Sequence, residues 1–272
     1  MKEMTTREIQ LICLDLLKDV HKFCVENNIK YSLSGGSLIG AVRHNGFIPW
    51  DDDADIQMPR PDYDKFIATY RTERGYKLYA RETGGRVFSR IARLFEVDKT
   101  YVDQTEEPLV CEKVGVWIDI IPVDGAPSNK REAIRYIRAL RRGEIFLSCL
   151  SKTESNWTDV MKLASPLKKL KFIVKKIIGV FIHYSYVDRY IKFAKKYEYS
   201  QSEYFYATPH YGMNEWQPKK YMEGYELFQF EDTLLYIMSG YNDNLTRLYG
   251  DYMKIPSKDK QVTHEKYKRY WK

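Results

Sequence analysis

The sequence is poor in the features that hold a protein together outside the cell or fix it across a membrane. Its 272 residues include only four cysteines, Cys13, Cys24, Cys111 and Cys149, widely spaced and without a CxxC pair. That spacing indicates neither a disulfide framework nor a cysteine-ligated zinc site, so a reducing compartment is expected. No apolar run reaches the roughly 18 residues that span a bilayer, and the opening MKEMTTREIQ has no signal-peptide core. The expected location is therefore cytoplasmic. Internal repeats and low-complexity tracts are missing too, which sets aside solenoids and long disordered tails.

What is present suits a globular chain, 44% hydrophobic and 30% charged, long enough for one large domain or a core with an insertion. Aromatic residues make up 15%, chiefly through 23 tyrosines. Lysine and arginine number 44 against 37 acidic residues, a net charge of +7. That excess favours anionic partners such as phosphates, nucleic acid or acidic lipid headgroups, without choosing among them.

Thr5 and Glu8 form a capping box, and Ile9, Ile12, Leu16, Val20 and Cys24 recur at helical spacing. The pattern predicts a helix over residues 6–26, ended by Asn27 and Asn28. KYSLSGG reads as a short strand entering a glycine turn, and SLIGAVRHN as a helix that stops at Gly46. In DADIQMP polar and apolar residues alternate. This predicts a strand with Asp53, Asp55 and Gln57 on one face and Ala54, Ile56 and Met58 on the other, closed by Pro59 and Pro61. DYDKFIATYRT reads as a helix, RVFSRIARLF and KTYVDQ as strands, and GVWIDIIPVDG as an apolar strand carrying Asp119. The fold class is α/β. Residues 1–127 form the core, the basic stretch 128–200 a helical insertion, and the tyrosine-rich, irregular stretch 201–272 a segment returning to the core.

Residues 34–60, SGGSLIGAVRHNGFIPWDDDADIQMPR, concentrate the chemistry. Asp51, Asp52, Asp53 and Asp55 repel one another, so something must offset the crowding. Asp53 and Asp55, at i and i+2 of a strand, point the same way and can hold one divalent cation or two. Asp119 sits among apolar neighbours in VWIDII and needs a partner. As the acid of a neighbouring strand it would complete an oxygen cage. A strand leading into Gly35, Gly36 and Ser37 and then a helix presents backbone N–H groups and a helix N-terminus to phosphate oxygens. A phosphate cradle beside a metal cage fits metal-assisted phosphoryl or nucleotidyl transfer.

This order of features is similar to the nucleotidyltransferase superfamily, with a longer gap between Ser37 and Asp53 than in its commonest members. GGSLIGAVRHNGFIPWDDDADIQMPRPDYDKF resembles, nearly residue for residue, the signature of the LicD family of phosphorylcholine transferases, relatives of fukutin-like proteins. WIDIIPVDG and LTRLYGDYMKIP look like that family's second and C-terminal signatures, so the resemblance spans residues 30–260. It implies a nucleotidyltransferase-like core sheet with flanking helices and a helical insertion. It also implies transfer of phosphocholine, or a related phospho-alcohol, from CDP-choline or another CDP-alcohol, with release of CMP. The implied acceptor is a hydroxyl of a lipid-linked cell-surface glycan such as a teichoic acid precursor. For the residues, it implies Mg2+ or Mn2+ at the catalytic Asp53, Asp55 and Asp119, with Asp119 also able to accept the hydroxyl proton. Phosphate contact is implied at Gly35, Gly36 and Ser37, and Tyr249, Gly250 and Asp251 match the C-terminal signature. The stretch FQFEDTLLYIMSGY departs from the family by lacking a glycine after the Phe-Glu pair and a proline before the last glycine.

Arg43, His44 and Arg60 flank the acids and are expected to neutralise diphosphate charge, arginine through its bidentate fork. The competing readings are an internal salt bridge for Arg43 and a helix cap for His44. Trp50 either stacks on a base or sugar or is packed into the core. Asp51 and Asp52 belong either to the site or only to its turn. Arg90 and Arg93, on one predicted strand, either reach phosphate or belong to an ordinary surface, the latter being preferred, and His21, His183, His210 and His264 are expected in structural roles. In SPLKKLKFIVKKIIGVFIHYSYV, at about 100° per residue, Lys168, Lys169, Lys171, Lys175 and Lys176 share an arc of about 160° opposite Leu167, Leu170, Ile173, Val174, Ile177 and Phe181. Either this helix packs its apolar side on the core with its lysines in solvent, or it lies at the inner face of an anionic membrane. The rival functions are a nucleotidyltransferase moving NMP from an NTP to RNA, an antibiotic or a sugar phosphate, and a non-catalytic basic module binding membrane or nucleic acid. The transferase reading expects no nucleic-acid partner.

Overall fold

The computed structural model describes residues 1–84, 87–104, 114–155, 157, 165–263 and 267–272; Cys111 and His264 lie outside the described residues. After a two-residue strand β1 (Lys2–Glu3), helix α1 (Thr6–Glu26) opens on the predicted capping box of Thr5 and Glu8. Its stripe of Ile9, Ile12, Leu16, Val20 and Cys24 is buried, and Asn28 leaves it with a left-handed φ of 51°. The chain then builds β2 (Ser32–Leu33), α2 (Gly35–His44), β3 (Asp55–Pro59) and α3 (Arg60–Thr69). There follow β4 (Lys77–Tyr79), β5 (Ala92–Phe95), β6 (Thr100–Asp103) and β7 (Trp117–Ala126). The main sheet runs β2-β3-β7-β5-β4, with β3 parallel to β7 and the other neighbours antiparallel. Every residue of β7 is buried except the half-buried Asp119, as its apolar run requires of a central strand covered on both faces. The fold is thus the expected α/β core with flanking helices.

Strand β3 begins at Asp55, two residues later than the alternation predicts. Residues 51–54 arrive as irregular chain, with Asp51 N–H bonded to the Ile48 carbonyl, and contact with β7 starts where Asp119 N–H reaches the Ala54 carbonyl. Asp53 therefore precedes the strand.

The C-terminal stretch is more regular than its composition suggests. Strands β8 (Tyr204–Tyr206) and β9 (Gln217–Pro218) extend the far end of β7, and β10 (Tyr225–Phe230) with β11 (Thr233–Met238) makes a hairpin before α7 (Tyr241–Tyr249). The hairpin turns at Glu231 and Asp232, which lack the Asn-Gly type of signal that marks such turns. Ion pairs from α1 hold it instead, Arg7 to Glu231 at 2.6 Å and Lys18 to Asp232 at 2.7 Å. The stretch that departs from the family signature is this hairpin, and it packs against β2, α2 and α1. Finally β12 (Lys268–Trp271) pairs with both β1 and β6, tying the two ends of the chain together.

Between these parts lie α4 (Lys130–Ser151), α5 (Pro166–Val180) and α6 (Tyr186–Ala194). Helices α4 and α6 bury Tyr136, Leu140, Val187 and Tyr190 together with Tyr206 of β8 in a second apolar cluster. Helix α5 is turned opposite to the core-packing expectation: Leu167, Leu170, Val174, Ile177 and Phe181 are exposed and Lys176 is buried. The physical reason is the turn that follows α4, residues 152–155, whose carbonyls gather around one ammonium. Lys176 Nζ donates to the carbonyls of Lys152, Thr153 and Ser155, and Lys175 Nζ to Ser148 Oγ at 2.9 Å.

Candidate active site

The double glycine is required by what lies next to it. Gly35 takes φ of 53°, a left-handed value that glycine adopts without a Cβ penalty. A Cβ on Gly36 would run into Asp51 Oδ2, so the helix N-terminus can approach the acids only with glycine there. Ser37 is buried and its Oγ accepts from Asp55 N–H at 2.9 Å. Its hydroxyl positions Asp55, and the cleft wall itself begins at Ser34, Gly35 and Gly36.

The sheet then brings together acids that are far apart in the chain. Register places Asp55 of β3 directly beside Asp119 of the parallel strand β7, and paired residues of adjacent strands share a face. Arg93 of β5 is opposite Asp119 on the other side, its Nε 2.8 Å from Asp119 Oδ1. Asp51 and Asp53 join the same cleft. Burial first, and then the charge of Asp53 beside it, push the Asp51 carboxyl up to about 8. Burial and the Asp119 charge also raise Asp53. Among the described residues no three His, Cys, Asp or Glu side chains already stand grouped for a metal ion. Asp51 and Asp53 face each other and Asp119 faces Arg93. The donor chemistry nevertheless fits a hard cation: carboxylate oxygens of Asp53, Asp55 and Asp119 on one cleft, crowded enough that burial and mutual charge raise Asp51 and Asp53. Asp52 turns away and pairs with Arg269 of β12 at 2.8 Å.

Together these residues line a cleft of about 940 Å³, at the large end of the range for small-molecule sites. Trp50 lies on its wall with its ring edge toward His44 at 6.1 Å. Arg43 also lines it, but bonds the carbonyls of Tyr252 at 2.6 Å and Lys254 rather than an aspartate. His44 accepts from Arg43 Nε at 2.9 Å; burial and that positive neighbour keep its proton affinity below the ordinary histidine value. Asp251 lines the cleft with Asn244, Tyr249 and Lys254, a segment that lies against α2 where Arg43 bonds it.

Three arginine expectations are corrected. Arg60 follows the far end of β3, five residues beyond Asp55 and so about 16 Å along the strand. There it makes a bidentate, buried pair with Asp124 at 2.6 and 2.9 Å. Arg90 is not on the surface: it is buried against the same Asp124 at 3.0 Å and lies over the Tyr206 ring. Arg93 is mostly buried beside Asp119. His210, expected to be structural, lines the cleft, whereas His21 is structural, bonded to Tyr31 Oη at 2.8 Å. Sequence reasoning also missed Glu215, a buried carboxylate on the cleft wall that burial pushes up to about 7 although Thr208 donates to it. No local pattern marks it, because the segment 207–215 becomes a cleft wall only when it folds beside the strands that carry Asp55 and Asp119.

A glycine-opened helix set against strand carboxylates on a mixed sheet defines a nucleotidyltransferase-type domain, and residues 28–123 match the family described as LicD/FKTN/FKRP, nucleotidyltransferase domain. Along 275 aligned positions, covering 97% of both chains, the chain is 31% identical to the lipopolysaccharide cholinephosphotransferase LicD of Haemophilus influenzae. The protein belongs to the LicD family. A stretch of 48 residues is 42% identical to the ribitol 5-phosphate transferase FKRP of Mus musculus and of Homo sapiens, covering 16% of this chain and 10% of theirs.

Proposed function

We propose that the protein transfers phosphocholine, or a related phospho-alcohol, from a CDP-alcohol to a hydroxyl of a lipid-linked cell-surface glycan, releasing CMP. The reading assigns Mg2+ or Mn2+ to Asp53, Asp55 and Asp119. The observation that carries it is the pairing of Asp55 with Asp119 beside the glycine-opened α2, in a chain with a cholinephosphotransferase relative along nearly its whole length. When bound, the ion neutralises charge that builds on phosphate oxygens and on the departing CMP. The N–H groups of Gly35 and Gly36, at the positive end of α2, orient the diphosphate. Asp119, held in place by Arg93, accepts the proton of the attacking hydroxyl. Trp50 offers a flat apolar face to the base or the sugar. The partial likeness to ribitol 5-phosphate transferases makes ribitol a second alcohol to test.

The test is incubation with Mg2+, a lipid-linked acceptor fraction and a panel of CDP-choline, CDP-ribitol, CDP-glycerol and NTPs. CMP is expected from one CDP-alcohol, and Asp55→Asn should slow its release by about 10³-fold, the scale of losing several kcal/mol of charge stabilisation. Absence of CMP from every CDP-alcohol, or pyrophosphate from an NTP, overturns the reading.

A further inference from the structure

Helix α5 presents an apolar face that the other described residues leave uncovered. Leu167, Leu170, Val174, Ile177, Ile178 and Phe181 are between 40% and 84% exposed. At about 100° per residue they fall within one arc of about 100°, a continuous stripe, not scattered side chains. Its orientation is held from behind. Lys176 is anchored on three carbonyls, and Gly179 meets Cys149 so closely that any Cβ would strike the Cys149 carbonyl. The stripe therefore cannot rotate inward without losing a buried ammonium's partners.

We propose that α5 docks the protein onto an anionic lipid surface, with this stripe entering the interface and Lys168 and Lys171 meeting lipid phosphates. Charge complementarity selects the occupant. Residues 165–187 contain five lysines and no aspartate or glutamate, and the exposed Lys171 and Lys168 lie along one edge of the stripe. A second copy would bring the same lysines face to face, which like-charge repulsion opposes. The helix spans only Pro166–Val180, and no helix among the described residues is long and apolar enough to cross a membrane, so α5 lies in the plane of the interface.

The experiment is sedimentation of the full-length protein with vesicles of phosphatidylcholine alone and of phosphatidylcholine mixed with phosphatidylglycerol. Binding to the mixed vesicles is expected, well above binding to phosphatidylcholine. Leu170→Ser with Ile177→Ser should weaken it roughly tenfold per side chain removed from lipid. Lys168→Gln with Lys171→Gln should weaken it roughly fivefold per lysine. All four positions are exposed, so an unchanged Tm verifies the fold of each variant. No binding to mixed vesicles, equal binding by the variants, or a dimer that the Leu170 and Ile177 changes dissolve would each overturn the proposal. The readout is independent of CMP release, so the docking surface and the transferase reading fail separately.

Discussion

At the residue scale, the acids of this chain divide by what faces them. Asp53, Asp55 and Asp119 share a cleft, Asp52 spends its charge on Arg269, and Asp124 spends its own on Arg60 and Arg90. The sequence makes the DDDAD run conspicuous, yet cannot tell its second aspartate from its third, because that choice depends on an arginine more than 200 residues away. Glu215 offers a test that needs no substrate. Its folded carboxyl is raised from 4.5 to about 7 by burial, so between those values the folded state holds more protons than the unfolded one. Stability should therefore fall as pH rises through that window, by about 3 kcal/mol in total. Urea unfolding at pH 5 and pH 8 measures the fall, which Glu215→Gln should reduce by the share of Glu215 while that of the raised Asp51 remains; an identical slope in the variant would remove Glu215 as a source.

At the scale of elements, β7 does two jobs at its two ends. Asp119, near its start, faces the cleft, and Asp124, five residues on, compensates two buried guanidiniums behind it. Asp124→Asn should cost about 3–5 kcal/mol of unfolding free energy, because it strands buried positive charge. Denaturant titration checks this, and a loss below 1 kcal/mol would show that water reaches Arg60 or Arg90. The helix periods, the capping box and the strands β3 and β7 were legible in the sequence because they rest on local repeats of 3.6 and 2 residues. The hairpin β10–β11 was not, since its turn is held by Arg7 and Lys18 of α1 and not by its own turn residues. Nor was the facing of α5: amphipathicity defines two faces, and the carbonyls of the turn after α4 that hold Lys176 decide which one turns inward.

At the scale of the whole molecule, the two ends of the chain meet beside the acids of the site. Strand β12 pairs with β1 and β6, and its Arg269 reaches Asp52 while lying 5.0 Å over the Trp117 ring. Arg269→Ala should lower Tm by roughly 5–15 °C, because it leaves Asp52 buried without its partner. It should also slow CMP release, since Asp52 adjoins the residues lining the cleft; differential scanning calorimetry and the donor assay measure the two effects, and unchanged values in both would detach β12 from the site. The sequence by itself determined the α/β class, the family signature, the glycine-opened helix and the carboxylates, all carried by contiguous residues or short repeats. Tertiary structure alone decided that Asp55 meets Asp119, that Arg60 leaves the site for Asp124, and that α5 shows its apolar side to solvent. Each of those outcomes depends on strand register or on a carbonyl and charge from a distant segment, and such partners meet only when the chain is folded.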